Sequence, residues 1–219
     1  MVKAAKPALF GQVFVLFIKR RREMEIDLSS NEALWLRRLS AGDVLLYIAR
    51  NRLISDKEPV TREFSIRPFQ SRDDAAVLYL HRAALQAIGA WTKSGPWDSD
   101  LEDIEQSYTR SGGAFLVGTI NDCVVVAMGA FRRTSPERAE IKRMRVLPMR
   151  QGRGYGQAVL TALEDEIRRR GYRAIHLNTT ILQVAAQKLY LKNGYREVGR
   201  ITQGVPWETI FYEKDSAAL

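Results

Sequence analysis

The sequence holds a single cysteine, Cys123, in 219 residues. One thiol excludes an internal disulfide and a multi-cysteine metal site. It suits a reducing compartment, so a cytoplasmic protein without a metal is expected. Histidine is almost as scarce, with only His81 and His176, and each reads first as a structural residue. No apolar run reaches the ~18 residues needed to cross a bilayer as a helix. Internal repeats and low-complexity tracts are absent as well. What remains is ordinary for a globular protein, with 46% apolar and 27% charged residues. The length supports one domain with a sizeable core plus an extra segment.

Acidic residues are in deficit, which leaves a net charge of +9 spread over both sides of residue 60. Such a field attracts nucleic acid, an anionic membrane or a phosphorylated cofactor alike. No basic-aromatic recognition motif of the usual kinds accompanies it, so nucleic acid is not the expected partner. The stretch Ala8 to Ile18 is apolar apart from Gln12, with Lys3 and Lys6 before it and Lys19 to Arg22 after it. Charge follows where a signal peptide would place small cleavage-site residues. A weak contact of 8–22 with an anionic membrane surface fits this composition. A packed element or an unstructured leader is the simpler reading.

The polar stretch Ser55 to Arg62, with Pro59, marks a boundary. It divides an N-terminal extension, 1–60, of unassigned role from a domain over 63–215. Within the extension, Ser29 and Glu32 form a capping box ahead of a helical pattern to Arg52. Past the boundary, strands are expected at 64–67, 114–120, 124–132, 139–146, 174–178, 195–201 and 207–212. Helices are expected from Ser71, with Val77, Leu78, Leu85 and Ile88 on its buried side, and at 98–108, 154–170 and 183–192. Val159, Leu160, Leu163 and Ile167 recur at helical spacing in the third of these. Asn121-Asp122-Cys123 signals a hairpin turn.

The sharpest feature is Gln151-Gly152-Arg153-Gly154-Tyr155-Gly156, which follows a strand and opens a helix. A helix start has about four amides without intrahelical partners and the positive end of a dipole. Glycines let an anion approach that backbone closely. The arrangement suits a pyrophosphate, with Arg150 and Arg153 adding charge. A Walker loop would need Lys-Ser/Thr after the last glycine, where Gln157-Ala158 stands. The dinucleotide spacing G-x-G-x-x-G is not met either. By itself, a strand–helix turn that needs glycines is an equal reading.

The run Ala139 to Pro148 followed by Gln151-x-x-Gly154-x-Gly156 resembles the central motif of the GNAT N-acetyltransferases. Gln183-x-x-Ala186-x-x-x-Tyr190-x-x-x-Gly194-Tyr195 resembles their second signature. The likeness is close over about 139–200, looser over 64–138 and 201–214, and absent over 1–60. It implies an α/β (α+β) acyl-CoA N-acyltransferase fold, with a mixed central sheet of six to seven strands flanked by helices. It implies acetyl-CoA as co-substrate. Met144, Arg145 and Val146 would bond the pantetheine arm through backbone. Gln151, Gly152, Arg153, Gly154, Tyr155, Gly156 and Gln157 would hold the pyrophosphate. Strands around Met144 and Asn178 would splay to admit the thioester, with Gln183 a further cofactor contact. Gln183 stands where Asn is frequent in the family, and Tyr195 where Phe is.

The same resemblance makes Tyr190 the proton donor to the departing thiolate; a half-buried core aromatic is the competing reading. Glu140 is the candidate base, against a strand-edge ion pair with Lys142 or another cation. Cys123 lacks a neighbouring His–acid pair, so direct transfer is expected. Trp91, Trp97 and Trp207 are candidate walls for the acceptor, or simple packing residues. The reading is an N-acetyltransferase acting on a primary amine, small or peptidic, as a monomer or homodimer. The alternative is a CoA-binding sensor without turnover.

Overall fold

The computed structural model describes residues 63–91, 96–122, 124–204 and 207–215, without the side chains of residues 96 and 97. The expected extension over 1–60, including its helix and the 8–22 segment, lies outside the described residues, as does Cys123. Seven strands form one sheet: β1 (Phe64–Pro68), β2 (Ala114–Ile120), β3 (Val124–Arg133), β4 (Arg138–Val146), β5 (Ala174–Thr180), β6 (Arg196–Ile201) and β7 (Thr209–Asp215). Their spatial order is β1-β2-β3-β4-β5-β7-β6. Only the β4–β5 pair is parallel. A parallel pair needs a crossover, and helix α2 (Tyr155–Arg169) supplies it. Helix α1 (Asp74–Ala87) joins β1 to the segment before β2, and α3 (Val184–Lys192) joins β5 to β6. No helix among the described residues is long and apolar enough to cross a membrane.

Each helix covers the sheet through the residues its periodicity selects. Val159, Leu160, Leu163 and Ile167 of α2 are fully buried against β2, β3 and β4. Each such burial is worth roughly 1.5–3 kcal/mol. Lys214 of β7 donates to Glu164 of α2 at 3.0 Å, so a buried ion pair ties the helix to the far side of the sheet. Helix α1 packs on β3 and β4 with Val77, Leu80 and Ala83 fully buried. The expected stripe is corrected in two places. Leu78 is 48% exposed and Ile88 is 38% exposed. The face actually used runs through Ala76, Val77, Leu80 and Ala83, at the i, i+3, i+4 spacing of a helix.

The helix expected at 98–108 is broken. A 3-10 turn covers Pro96–Leu101 and a π turn covers Glu105–Thr109. Short polar side chains compete with helical bonding there. Asp103 Oδ1 accepts from the Gln106 amide at 2.9 Å, and Asp98 and Asp100 turn toward Arg143. The hairpin joining β2 and β3 places Asn121 at φ 50° and Asp122 at φ 55°. Asn and Asp tolerate this left-handed region best among non-glycines.

Two irregularities in β4 create the space for a site. Pairing with β5 runs only from Arg138↔Ala174 to Ile141↔Leu177, after which the strands part. On the other edge, Met128 pairs with Arg145 but Ala130 pairs with Lys142. Two steps along β3 therefore match three along β4, a bulge that bends the strand. Within it, Arg143 takes φ 58°. Met144 turns toward α2, where a Cβ on Gly129 would lie 2.6 Å from Met144 Sδ and 2.8 Å from Leu163 Cδ1 and Val159 Cγ1. Gly129→Ala should overpack this layer and lower stability by about 1–3 kcal/mol in denaturant unfolding.

Candidate functional site

Two cavities meet where β4 and β5 part. The first, about 370 Å³, lies on the α1 side of the split strands. His81, Trp91, Asn178 and Trp207 line it, together with residues Ile141 to Arg145 of β4. The second, about 430 Å³, runs from Ile88 and Val146 to the glycine-rich turn and the start of α3. Leu85, Met144, Arg145, Gln183 and Tyr190 line both. These shared residues are the doorway between the cavities.

The glycine-rich turn leaves its backbone amides open. Gly152 and Gly154 sit at φ 75° and 81°, where a Cβ is disfavoured. Gly154 is the N-cap of α2 and no side chain caps that helix. Among the described residues, no hydrogen-bond acceptor is found for the amides of residues 152–157. Bare amides at a helix start, with the dipole's positive end behind them, suit a phosphate group. Arg150, Gln151, Gly152, Gly154, Tyr155, Gly156 and Gln157 all line the second cavity. Arg153 does not; it is exposed. Gln157 also exchanges side-chain bonds with Asn193 at 2.7 and 2.9 Å, pinning the start of α2 to the end of α3.

Tyr190 is 4% exposed and stacks edge-on against Tyr195. Burial pushes its phenol up to about 12, opposed by the charge of Arg145. It is therefore protonated at neutral pH and able to donate. Gln183 caps α3 by position only, and its Oε1 accepts from Arg145 Nη1 at 3.3 Å. Asn178 lines the first cavity rather than the second. Glu140 lines neither. Arg132 Nε donates to its carboxylate at 2.6 Å and Asn178 Nδ2 at 3.4 Å. It stands behind Asn178, set back from the cavity. Trp91 and Trp207 line the first cavity, whereas the Trp97 side chain lies outside the described residues.

Several site residues carry no signal in the sequence. Arg143, buried within the bulge, donates to Asp98 at 2.9 Å and to Asp100 at 3.0 Å. Burial alone would raise the Asp100 carboxyl, but the bonds from Arg143 and Tyr108 outweigh it and lower its pKa. His81 is 2% exposed, and its Nε2 lies 3.1 Å from Asp98 Oδ1. Burial, then Arg145 and Arg143, depress its pKa to about 3. The ring is neutral at pH 7, with Nε2–H the natural donor to Asp98. Leu85 and Ile88 of α1 also wall the cavities, a contact that only tertiary packing creates. No cluster of three or more His, Cys, Asp or Glu suited to a metal occurs among the described residues.

Residues 78–195 match the profile of the Acetyltransferase (GNAT) family. N-acetylaspartate synthetase of Danio rerio is 32% identical over 102 residues, covering 46% of this chain and 36% of that protein. N-acetyltransferase 8F1 of Rattus norvegicus is 27% identical over 116 residues, covering 51% of this chain and 52% of that protein. The chain thus spans between about a third and a half of the length of these curated relatives. Among solved structures, a GNAT-family acetyltransferase from Staphylococcus aureus Mu50 superposes with a TM-score of 0.65 at 20% identity, over 70% of this chain and 99% of that one. The Salmonella typhimurium protein yncA, solved with its cofactor acetyl-CoA, gives 0.57 at 21% identity, over 70% and 94%. These two structural likenesses show the fold.

His81 supplies a pH test of the site's packing. Its folded pKa lies below the unfolded value near 6.5, so the unfolded chain binds the extra proton between about pH 6.5 and 3. The stability that the neutral ring contributes is complete above that window and is lost as pH falls through it. His81→Gln should flatten the decline of unfolding free energy between pH 6.5 and 4, by up to about 1.4 kcal/mol per pH unit.

Proposed function

Because the chain belongs to the Acetyltransferase (GNAT) family, we propose that it transfers acetyl directly from acetyl-CoA to a primary amine. The observation that carries this reading is the junction of two cavities at Tyr190. One cavity ends in uncapped helix amides that fit a diphosphate, and the other opens on the α1 side with aromatic walls. Residues of the glycine-rich turn would hold the diphosphate of the cofactor. The parted edge of β4 from Met144 to Val146 leaves backbone groups free to pair with the two amides of a pantetheine arm. When bound, acetyl-CoA supplies the activated acyl carbon.

The acceptor enters from the first cavity as a neutral amine. As its nitrogen bonds to the acyl carbon, the C–S bond breaks and Tyr190 Oη gives its proton to the departing sulfur. The phenol then recovers a proton from solvent. Glu140, held by Arg132 and Asn178, can take the amine's proton only through water. His81 is too weak a base for that task at its depressed pKa and serves to hold Asp98. The relatives named above are N-acetyltransferases or synthetases of an N-acetylated product, which supports an amine acceptor here.

Acetyl-CoA should raise the melting temperature of the protein. Tyr190→Phe should lower kcat ~10²-fold in a thiol-release assay while leaving the CoA-induced melting shift in place. Gly154→Val should abolish that shift. The space around Gly154 is open, so the conflict is the left-handed backbone rather than a clash within the protein. Stabilisation by CoA without thiol release across an amine panel would favour a cofactor sensor.

A further inference from the structure

The bulge in β4 does more than open the sheet. Residues paired across antiparallel strands share a face, so Arg145, opposite Met128, and Lys142, opposite Ala130, lie on the same face. Regular alternation would send residues three apart to opposite faces. The extra residue therefore brings two cations together on the wall of the first cavity, which both line.

The carboxylates nearby are already engaged. Asp98 and Asp100 bond Arg143, and Tyr108 also donates to Asp100. Glu140 is held by Arg132 at 2.6 Å and stands 4.0 Å from Lys142 Nζ. Arg145 pairs with no carboxylate among the described residues. Its Nη1 reaches only neutral oxygens, Met144 O at 2.7 Å and Gln183 Oε1 at 3.3 Å. Its Nε is buried without a hydrogen-bond partner. Leaving a buried cation uncompensated costs several kcal/mol, and a buried donor without a partner costs a further 1–3, both on the order-of-magnitude scale of such groups.

We propose that the first cavity takes an acceptor bearing a carboxylate beside its amine, an α-amino acid or a close conjugate, with Arg145 and Lys142 as the carboxylate-binding pair. This rests on the acetyltransferase reading and narrows it. A guanidinium offers a planar pair of donors that matches a carboxylate, and the ammonium of Lys142 adds a point charge. The same field disfavours acceptors with a second cation, such as a diamine or a peptide lysine amid basic residues.

The test uses the full chain with saturating CoA and three matched probe sets: the common α-amino acids, their α-amides and the corresponding decarboxylated amines. Melting temperature and, with acetyl-CoA, thiol release are read for each. The expected result is stabilisation and turnover by one or more acids, with the matching amide and amine at least 10-fold poorer. Arg145→Gln should raise KM for the preferred acid about 10- to 100-fold and erase its advantage over the amide, as loss of bonds to a charged group predicts. Arg145→Lys should restore part of that preference. Lys142→Met should give a smaller loss and serves as the second variant if Arg145→Gln fails to fold. Amides or amines matching the acids would overturn the proposal. So would CoA-stabilised protein that no carboxylate probe engages, or an Arg145→Gln defect confined to KM for acetyl-CoA. Absence of any CoA binding would instead defeat the underlying acetyltransferase reading.

Discussion

One extra residue in β4 organises this molecule. The left-handed conformation of Arg143 costs roughly 1–2 kcal/mol in a residue with a Cβ. Its guanidinium offsets that cost through bonds to Asp98 and Asp100, since bonds to charged groups contribute about 1.5–3 kcal/mol each. The clamp draws the 98–100 segment onto the strand, which is why that stretch cannot complete a helix. It also ends regular pairing where β4 leaves β5. Met144 is directed toward α2, while Lys142 and Arg145 are left together on the other face.

The opening this creates is divided by charge and shape. On one side, the start of α2 offers amides and a dipole end with no partner of their own. On the other, neutral His81 and two tryptophans share the wall with the paired Asp98 and Arg143 and with Lys142 and Arg145. Tyr190 stands at the doorway, and its burial keeps the phenol protonated. Leu85 is shared by both cavities, and Ile88, exposed by its position on α1, finds its use as a wall of the second.

Local rules carried the sequence reading a long way. Alternation and helical spacing locate all seven strands and the long helices, with no end displaced by more than three residues. The four apolar residues of α2 are buried as their spacing requires. The glycine-rich turn was legible because φ above zero, a strand before it and a helix after it are all written in consecutive residues. The same reading misassigned the inner face of α1 and made a helix of 98–108. In the first case several apolar residues compete for one face. In the second, the deciding partner, Arg143, is more than forty residues away in the chain.

What the sequence determined by itself is therefore whatever depends on neighbours along the chain: element order, the glycine-rich turn at the start of α2, and the spacing that sets Tyr190 four residues after Ala186. The acceptor side was left to tertiary structure. Glu140 reads in the sequence either as a base or as one half of a strand-edge ion pair, and register decides the matter by setting Arg132 against it across the strand pair. Arg145 is visible in the sequence only as a strand residue with a backbone to offer, yet its side chain reaches the cavity wall without a carboxylate partner among the described residues. Both outcomes follow from register and from a bulge. Register decides which side chains share a face, and a one-residue slip reverses that choice without leaving a mark on local periodicity.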